Sequence, residues 1–286
     1  MILLTGITGT TGKQILDLFC KRNIPVRAMV RDLDKVKDLS ETGLEIVQGD
    51  LEDEISIENA MNGVDKAFLL MPNVEQQLAN EKRFIDVAKK VGVSQLVKLS
   101  ASGADASSPA LLKRYHGEAE EYLAQSGIGF TNVRPNFYMQ NMLQCAASIK
   151  AEDKFYLPFR NGRTGVTAVA DVAEFIVTIL SEAGHDGKTY DVTGPAVLSF
   201  YDLAAQMSEV LGREITYVDL PAEEFSSQLL NWGTSEWYVK AVAELFGLIA
   251  QDQGTLVTDT FEKVCAKAPQ SFSQFVQQHA VAFTKG

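Results

Sequence analysis

Between its first two apolar segments the chain reads Thr5-Gly6-Ile7-Thr8-Gly9-Thr10-Thr11-Gly12, with glycines at i, i+3 and i+6. Glycine reaches backbone angles closed to other residues, and a missing side chain lets an anion approach main-chain N–H groups. The turn follows a strand-like run and opens a stretch of helical period, so those N–H groups would lie at the positive end of a helix dipole, where a pyrophosphate binds. Gly6, Thr8, Gly9, Thr10, Thr11 and Gly12 are the candidates for that contact, Gly12 also letting helix and strand pack closely. The spacing differs from Gly-x-Gly-x-x-Gly, and a purely structural turn is the competing interpretation; the position at the head of an alternating strand and helix pattern argues against it.

The second apolar run ends Met29-Val30-Arg31-Asp32. An acidic residue at such a strand end bonds a ribose 2′-hydroxyl, whereas an arginine accommodates a 2′-phosphate. Arg31 can present a bidentate guanidinium to phosphate, which favours NADP(H) over NAD(H) as the cofactor; a solvated loop arginine is the alternative. At the end of the third run, Asp50 and Leu51 stand near where an adenine ring would lie, and Asp50 also suits a helix N-cap. After the fourth, Met71 and Pro72 would run past the cofactor's middle.

The elements that must hold these residues are legible from periodicity. Short apolar runs at Ile2–Thr5, Val26–Val30, Leu44–Val47, Lys66–Leu70, Gln95–Leu99 and Gly129–Val133 alternate with stretches of helical period, as βαβ units of a parallel sheet require. Thr11–Arg22 gathers Ile15, Leu16, Leu18 and Phe19 on one face, and Glu75–Val91 does so with Leu78, Phe84, Ile85 and Ala88. Asn23 follows the first helix and Gly63 precedes the fourth strand as helix stops, and Gly92 and Gly127 sit where chains turn left-handed after a helix. Beyond about residue 150 the repeat is less regular: a helix at Asp171–Glu182, a strand at Thr189–Val192, a helix at Phe200–Leu211 opened by Ser199, a strand at Ile215–Val218, and amphipathic helices carrying Trp232 and Trp237. The expected organisation is a nucleotide-binding domain over 1–150, with contributions from 165–195, and a smaller, mostly helical substrate-binding part over 196–286.

Composition narrows the function. The chain has 286 residues, 46% of them hydrophobic, and a net charge of −11 with no basic patch, which speaks against a nucleic-acid partner. The three cysteines, Cys20, Cys145 and Cys265, are dispersed, as are His116, His185 and His279, so no disulfide framework or metal site is expected. No apolar run is long enough to span a bilayer and no leader pattern precedes the first strand, so a cytoplasmic, membrane-free protein is expected. Apolar faces on the C-terminal helices leave a homodimer open.

The glycine turn, Val30-Arg31, Gly49-Asp50-Leu51, Val133-Arg134-Pro135-Asn136-Phe137-Tyr138-Met139 and Val169-Ala170-Asp171-Val172-Ala173 together resemble the atypical short-chain dehydrogenase/reductase superfamily, and within it the NmrA-like group of quinone reductases, triphenylmethane dye reductases, isoflavone-reductase-like enzymes and redox sensors. That resemblance implies an α/β fold, a Rossmann-like parallel sheet of about seven strands flanked by helices, with a smaller C-terminal lid. It also implies that the chain after the sixth strand, Arg134 to Tyr138, passes the nicotinamide, with Pro135, Asn136 and Phe137 touching cofactor and Phe137, Tyr138 and Met139 lining an apolar pocket; an aromatic core is the alternative for these three.

Superfamily members usually carry Tyr-x-x-x-Lys on the helix after the fifth strand. If Glu120 matches the Glu that follows that Lys by four residues, His116 stands at the Lys position and Leu112 at the Tyr position, so the usual acid/base pair is absent. His116 can still hydrogen-bond ribose or substrate, while the adjacent Tyr115 faces about 100° away on a helix. Ser100 stands where the superfamily places a substrate-orienting Ser or Thr. His116 and Ser100 are therefore the catalytic candidates. The implied activity is reduction of a small, apolar, quinone-like or dye-like acceptor by direct hydride transfer from NADPH. Two alternatives are carried beside it: a sensor that binds NADP(H) without turnover, and a nucleotide-sugar epimerase, which lacks its base if Leu112 replaces the Tyr.

Overall fold

The computed structural model describes residues 1–39 and 43–284. Two compact units are present: the first takes Met1–Ser108, Lys113–Arg134 and Val172–Tyr190, the second Pro109–Leu112, Pro135–Asp171 and Asp191–Gly286. The division thus falls at Arg134/Pro135, and the second unit draws on chain well before residue 196.

The chain runs β1 (Ile2–Leu4), α1 (Thr10–Lys21), β2 (Val26–Val30), β3 (Leu44–Gln48), α2 (Glu54–Met61), β4 (Lys66–Leu69), α3 (Gln77–Val91), β5 (Gln95–Leu99), α4 (Leu111–Ser126) and β6 (Gly129–Pro135). It continues through β7 (Phe137–Tyr138), α5 (Ala146–Glu152), β8 (Lys154–Leu157), β9 (Arg163–Thr167), α6 (Val169–Ser181), β10 (Lys188–Val192), β11 (Val197–Ser199), α7 (Phe200–Leu211) and β12 (Thr216–Asp219). Helices at Ala222–Asn231, Glu236–Ile249, Thr260–Cys265, Phe272–Gln278 and Ala280–Phe283 follow.

A seven-stranded sheet in the order β10-β6-β5-β4-β1-β2-β3 carries the first unit. Pairs β1–β2, β1–β4, β2–β3, β4–β5 and β5–β6 are all parallel, so the C-terminal ends of β1, β2, β4 and β5 lie on one edge. The parallel sheet is the one expected from the alternation of short apolar runs with helices, and its seven strands make the Rossmann-like α/β fold that the family resemblance implies. Burial explains it: β5 is enclosed along its whole length, and Phe84, Ile85 and Ala88 of α3 pack with Leu3, Leu69 and Leu96 in one apolar core. Each fully buried side chain of that size contributes about 1.5–3 kcal/mol.

Strand limits agree with the periodicity to within a residue or two, and Gly92 and Gly127 do turn left-handed, at φ 82° and 85°. Gly92 ends α3 by donating its N–H to Ala88 and Lys89 carbonyls. One strand differs. Arg134 and Pro135 belong to β6 itself rather than to the segment after it.

In the second unit, β9 pairs antiparallel with β11 and parallel with β7, and β12 pairs parallel with β8. Its core is aromatic: Phe159 stacks on Phe200 at 3.9 Å between centroids, and Phe155 on Tyr217 at 5.4 Å. No membrane-spanning candidate occurs among the described helices.

Ser199 opens α7 with a reciprocal cap, accepting from the Asp202 N–H at 3.1 Å while Asp202 accepts from the Ser199 N–H at 2.8 Å. Ser199→Ala removes that cap, a loss of about 1 kcal/mol. Thermal unfolding followed by circular dichroism should show a Tm lower by roughly 2–4 °C.

Candidate active site

The glycine turn is built from the ends of β1 and β4. The Thr5 hydroxyl accepts the Leu70 N–H at 2.8 Å, with the Leu70 carbonyl at 3.1 Å, and the Thr5 N–H donates to Phe68 O, which joins the two strand ends. Gly6 follows at φ +70°, and a Cβ there would meet Leu70 Cγ at 2.6 Å. A side chain at Gly12 would fall 2.1 Å from the Gly6 carbonyl oxygen and 2.7 Å from Ile7 Cα. Gly12 therefore lets α1 close on the turn itself, not on a strand as its spacing had suggested.

Gly9 differs from both. Its φ is −86°, open to any residue, and an added Cβ would meet only the Gly6 carbonyl at 3.5 Å, an ordinary contact. Nothing in the fold requires glycine at this position. It is the N-cap of α1, and no side chain caps the helix. The first N–H groups of a helix lack intrahelical partners; here they stand beside exposed Thr8, Gly9 and Thr10, while Thr11 is buried. A bare, uncapped helix start with a glycine that packing does not need fits a phosphate group.

The neighbouring strand ends supply the other candidates. Arg31 directly follows β2 with an exposed side chain, its carbonyl accepting from Gln48 Nε2 at 3.1 Å. Asp50 accepts the Glu52 N–H at 3.0 Å in a local turn; the N-cap of α2 is Asp53 instead. Leu51 and Met71 pack against the first unit's core from partly exposed positions, and Pro72 is exposed. These residues all follow β-strand C-terminal ends, where such sheets bind ligands.

At the end of β5 and along α4 lies a buried polar network that periodicity alone missed. Lys98 has no exposure, and its ammonium lies 3.3 Å from Glu81 Oε1 and 2.9 Å from His116 Nδ1. Gln77 Nε2 donates to the same Glu81 oxygen at 3.3 Å, whereas Glu81 Oε2 and Gln77 Oε1 are buried without hydrogen-bond partners among the described residues. Beside it, Arg134 holds Glu120 through Nε at 2.9 Å and through Nη2, and the Ser100 hydroxyl donates to Glu120 Oε1. Ser100, a substrate-orienting candidate, thus has its proton committed to a carboxylate. Helix α4 brings Leu112, His116 and Glu120 onto one face, four residues apart.

Burial pushes the Glu81 carboxyl up, against the opposing pull of Lys98. Burial also drives the His116 imidazole well below its ordinary range, and the Lys98 and Arg134 cations add to the shift. His116 is therefore a neutral imidazole at physiological pH. The sequence signal for this network was present: a lysine inside an apolar strand, and Gln77 and Glu81 on the same helical stripe as Phe84 and Ala88.

In the second unit, Pro135 is buried and the Asn136 amide is engaged by backbone, donating to Gly254 and Leu256 carbonyls at 3.1 and 3.2 Å and accepting the Phe137 N–H at 3.1 Å. Phe137 sits edge-on to Phe159 and Phe200, partly exposed, and Tyr138 is also partly exposed. Met139 has no exposed surface, so it packs in the core rather than lining a pocket.

A sequence profile described as the NmrA-like family matches residues 1–276. The chain belongs to the NmrA-like family. It is 34% identical to an NAD(P)H azoreductase of Xenophilus azovorans over 99% of each chain. It is 31% identical to quinone oxidoreductase 2 of Escherichia coli strain K12 over 85% of this chain and 86% of that one. The solved structure of an Escherichia coli NADPH-dependent quinone oxidoreductase complexed with NADPH superposes with a TM-score of 0.89 at 27% identity, covering 98% of this chain and all of that one.

The two helix-start glycines should separate cleanly in stability. Gly12→Ala forces backbone apart and should cost about 1–3 kcal/mol, while Gly9→Asp supplies the missing cap and a charge favoured at a helix start, a gain of about 1 kcal/mol. Paired thermal melts should move in opposite directions; a fall of both would show that Gly9 is structurally required.

Proposed function

We propose that the protein is an NADPH-dependent reductase of small, electron-poor, apolar acceptors such as quinones and azo or cationic dyes. The observation that carries the cofactor part is the uncapped start of α1 with a glycine at position 9 that the fold itself does not need. In this reading the main-chain N–H groups from Thr10 to Gly12 hold the diphosphate, with Gly6, Thr8 and Gly9 shaping the approach, the Gly9 N–H itself donating to the Gly6 carbonyl at 3.1 Å. Arg31 meets the 2′-phosphate, Asp50 and Leu51 flank the adenosine, and Met71 and Pro72 pass the middle of the molecule. Pro135, Asn136 and Phe137 are assigned to the nicotinamide half, Asn136 through its backbone because its amide is engaged elsewhere, and His116 to the adjoining ribose or to the acceptor beside it.

When bound, a reduced pyridine nucleotide supplies a hydride. The chain's own contribution is to orient the partners and exclude water. Leu112 at the place of the superfamily Tyr leaves no phenol to protonate a sugar or alcohol oxygen, which supports acceptors that take their proton from water over epimerase chemistry. Phe137 and Tyr138, both partly exposed, are assigned to the acceptor's apolar face. The azoreductase and quinone reductase relatives support the same acceptor class.

Purified protein should oxidise NADPH over many turnovers with a quinone or dye, and NADH more slowly. Arg31→Ala should raise the KM for NADPH by roughly tenfold or more, the loss of one charge-assisted phosphate contact, and leave the KM for NADH within about twofold. Gly9→Asp should weaken NADPH binding while its Tm rises. No oxidation with any acceptor, despite binding of NADPH seen by fluorescence, would favour a sensor instead.

A further inference from the structure

The buried charges behind His116 have no part in cofactor binding as proposed above. Lys98 is fully enclosed on a strand whose every residue is buried, and its ammonium meets Glu81 Oε1 at 3.3 Å, His116 Nδ1 at 2.9 Å and the Leu99 carbonyl at 3.4 Å. An ammonium has donors only. Facing it, Nδ1 of a neutral imidazole must accept, and the ring proton must sit on Nε2. That second nitrogen has no hydrogen-bond partner among the described residues.

The polarity of this pair decides what the imidazole can do. A carboxylate behind a histidine makes the ring a base. Here a cation stands behind it, with the Arg134 guanidinium also acting on the ring. Electron density drawn toward Nδ1 weakens the ring as a base and strengthens Nε2–H as a donor, the condition under which a neutral histidine serves as an electrophile. Two cations act on the ring, Lys98 on β5 and Arg134 on β6, and each is itself paired with a carboxylate, Glu81 on α3 and Glu120 on α4.

We propose that Lys98 is a positioning residue that fixes His116 as an Nε2–H donor, and that this N–H stabilises the negative charge that develops on the oxygen of a neutral quinone as it is reduced. The proposal rests on the reductase reading above. The C4–H bond of the reduced nicotinamide breaks with both electrons, the hydride bonds to a quinone ring carbon conjugated with the carbonyl, and the displaced π pair shifts onto the carbonyl oxygen, which takes a proton from water. Tautomerisation then moves a ring proton to the second oxygen to give the hydroquinone, and the oxidised nucleotide is left. A cationic triarylmethane dye is different, because the same transfer cancels its charge and no anion forms. His116 should therefore matter for the quinone far more than for the dye.

Two measurements on the full chain test this. Long-range proton–nitrogen NMR of histidine-labelled protein, with His185→Gln and His279→Gln for assignment, should show His116 as the neutral Nε2–H form across the range where a free imidazole titrates, about pH 5 to 8. The double variant Lys98→Met/Glu81→Gln, which removes both buried charges together, should raise the pH at which His116 titrates, since the cation that opposed protonation is gone. An Nδ1–H form, or an imidazolium at neutral pH in the unaltered protein, overturns the proposal.

In kinetics with a 1,4-benzoquinone and a cationic triarylmethane dye, His116→Leu should lower the ratio of quinone to dye kcat by about a hundredfold, the usual effect of losing one such donor. The double variant should lower it by about tenfold, and His116→Gln, which keeps an N–H, should retain more quinone activity than His116→Leu. Equal losses with both acceptors mark a merely structural role and overturn the proposal. If the unaltered protein turns over neither acceptor, the reductase reading fails, and the NMR result still decides the Lys98–His116 pairing.

Discussion

The first unit depends on one close approach of backbone to backbone. Helix α1 begins where β1 ends, and the chain reverses so tightly that the Gly6 carbonyl oxygen lies where a Cβ of residue 12 would have to stand. Thr5 stabilises this corner by joining the end of β1 to that of β4 through its hydroxyl and its N–H. Because neither Gly6 nor Gly12 has a side chain, the helix start is brought to the edge of the sheet with its N–H groups forward. Closing this corner with a side chain at Gly9 would satisfy those groups internally and cost the fold nothing in space. That the chain leaves them bare is what supports the proposed phosphate site.

A second constraint sits under the catalytic candidates. Burying Lys98 and Glu81 together is tolerable because each offsets the other; removing one alone would strand a buried charge at a cost of about 3–5 kcal/mol. Such a pair adds little net stability compared with a well-packed apolar one. Its consequence is positional: it fixes which nitrogen of His116 is occupied, just as Glu120 fixes Ser100 and Arg134 through one carboxylate. The network thus joins β5, β6, α3 and α4 with polar contacts where apolar packing would leave side-chain orientation unspecified.

Much of this was legible in the sequence for identifiable reasons. The parallel strands are apolar runs bounded by turn residues, and Ser199 and Gly92 carry cap chemistry that local rules decode. Helix α2 escaped notice because Glu54–Met61 is short and buries only Ile57, Ala60 and Met61. Strands β8 and β9 escaped because their pairing partners, β12 and β11, are distant in sequence. The glycine turn and Arg31 were visible as types at positions, but the differing duties of Gly9 and Gly12 appear only when their neighbours do. Lys98 and Glu81 each interrupt an apolar stripe, and the partner that makes each tolerable sits on a different element, beyond the reach of local pattern.

The most direct test of the central claim is hydrogen–deuterium exchange at the amides of Thr10, Thr11 and Gly12 with and without NADPH. Slowed exchange at those amides, alongside unchanged exchange in β5, is the expected result and would place the diphosphate on the bare start of α1. Saturation with NADPH that leaves those amides exchanging as before would contradict it, and the uncapped helix start would then need another explanation.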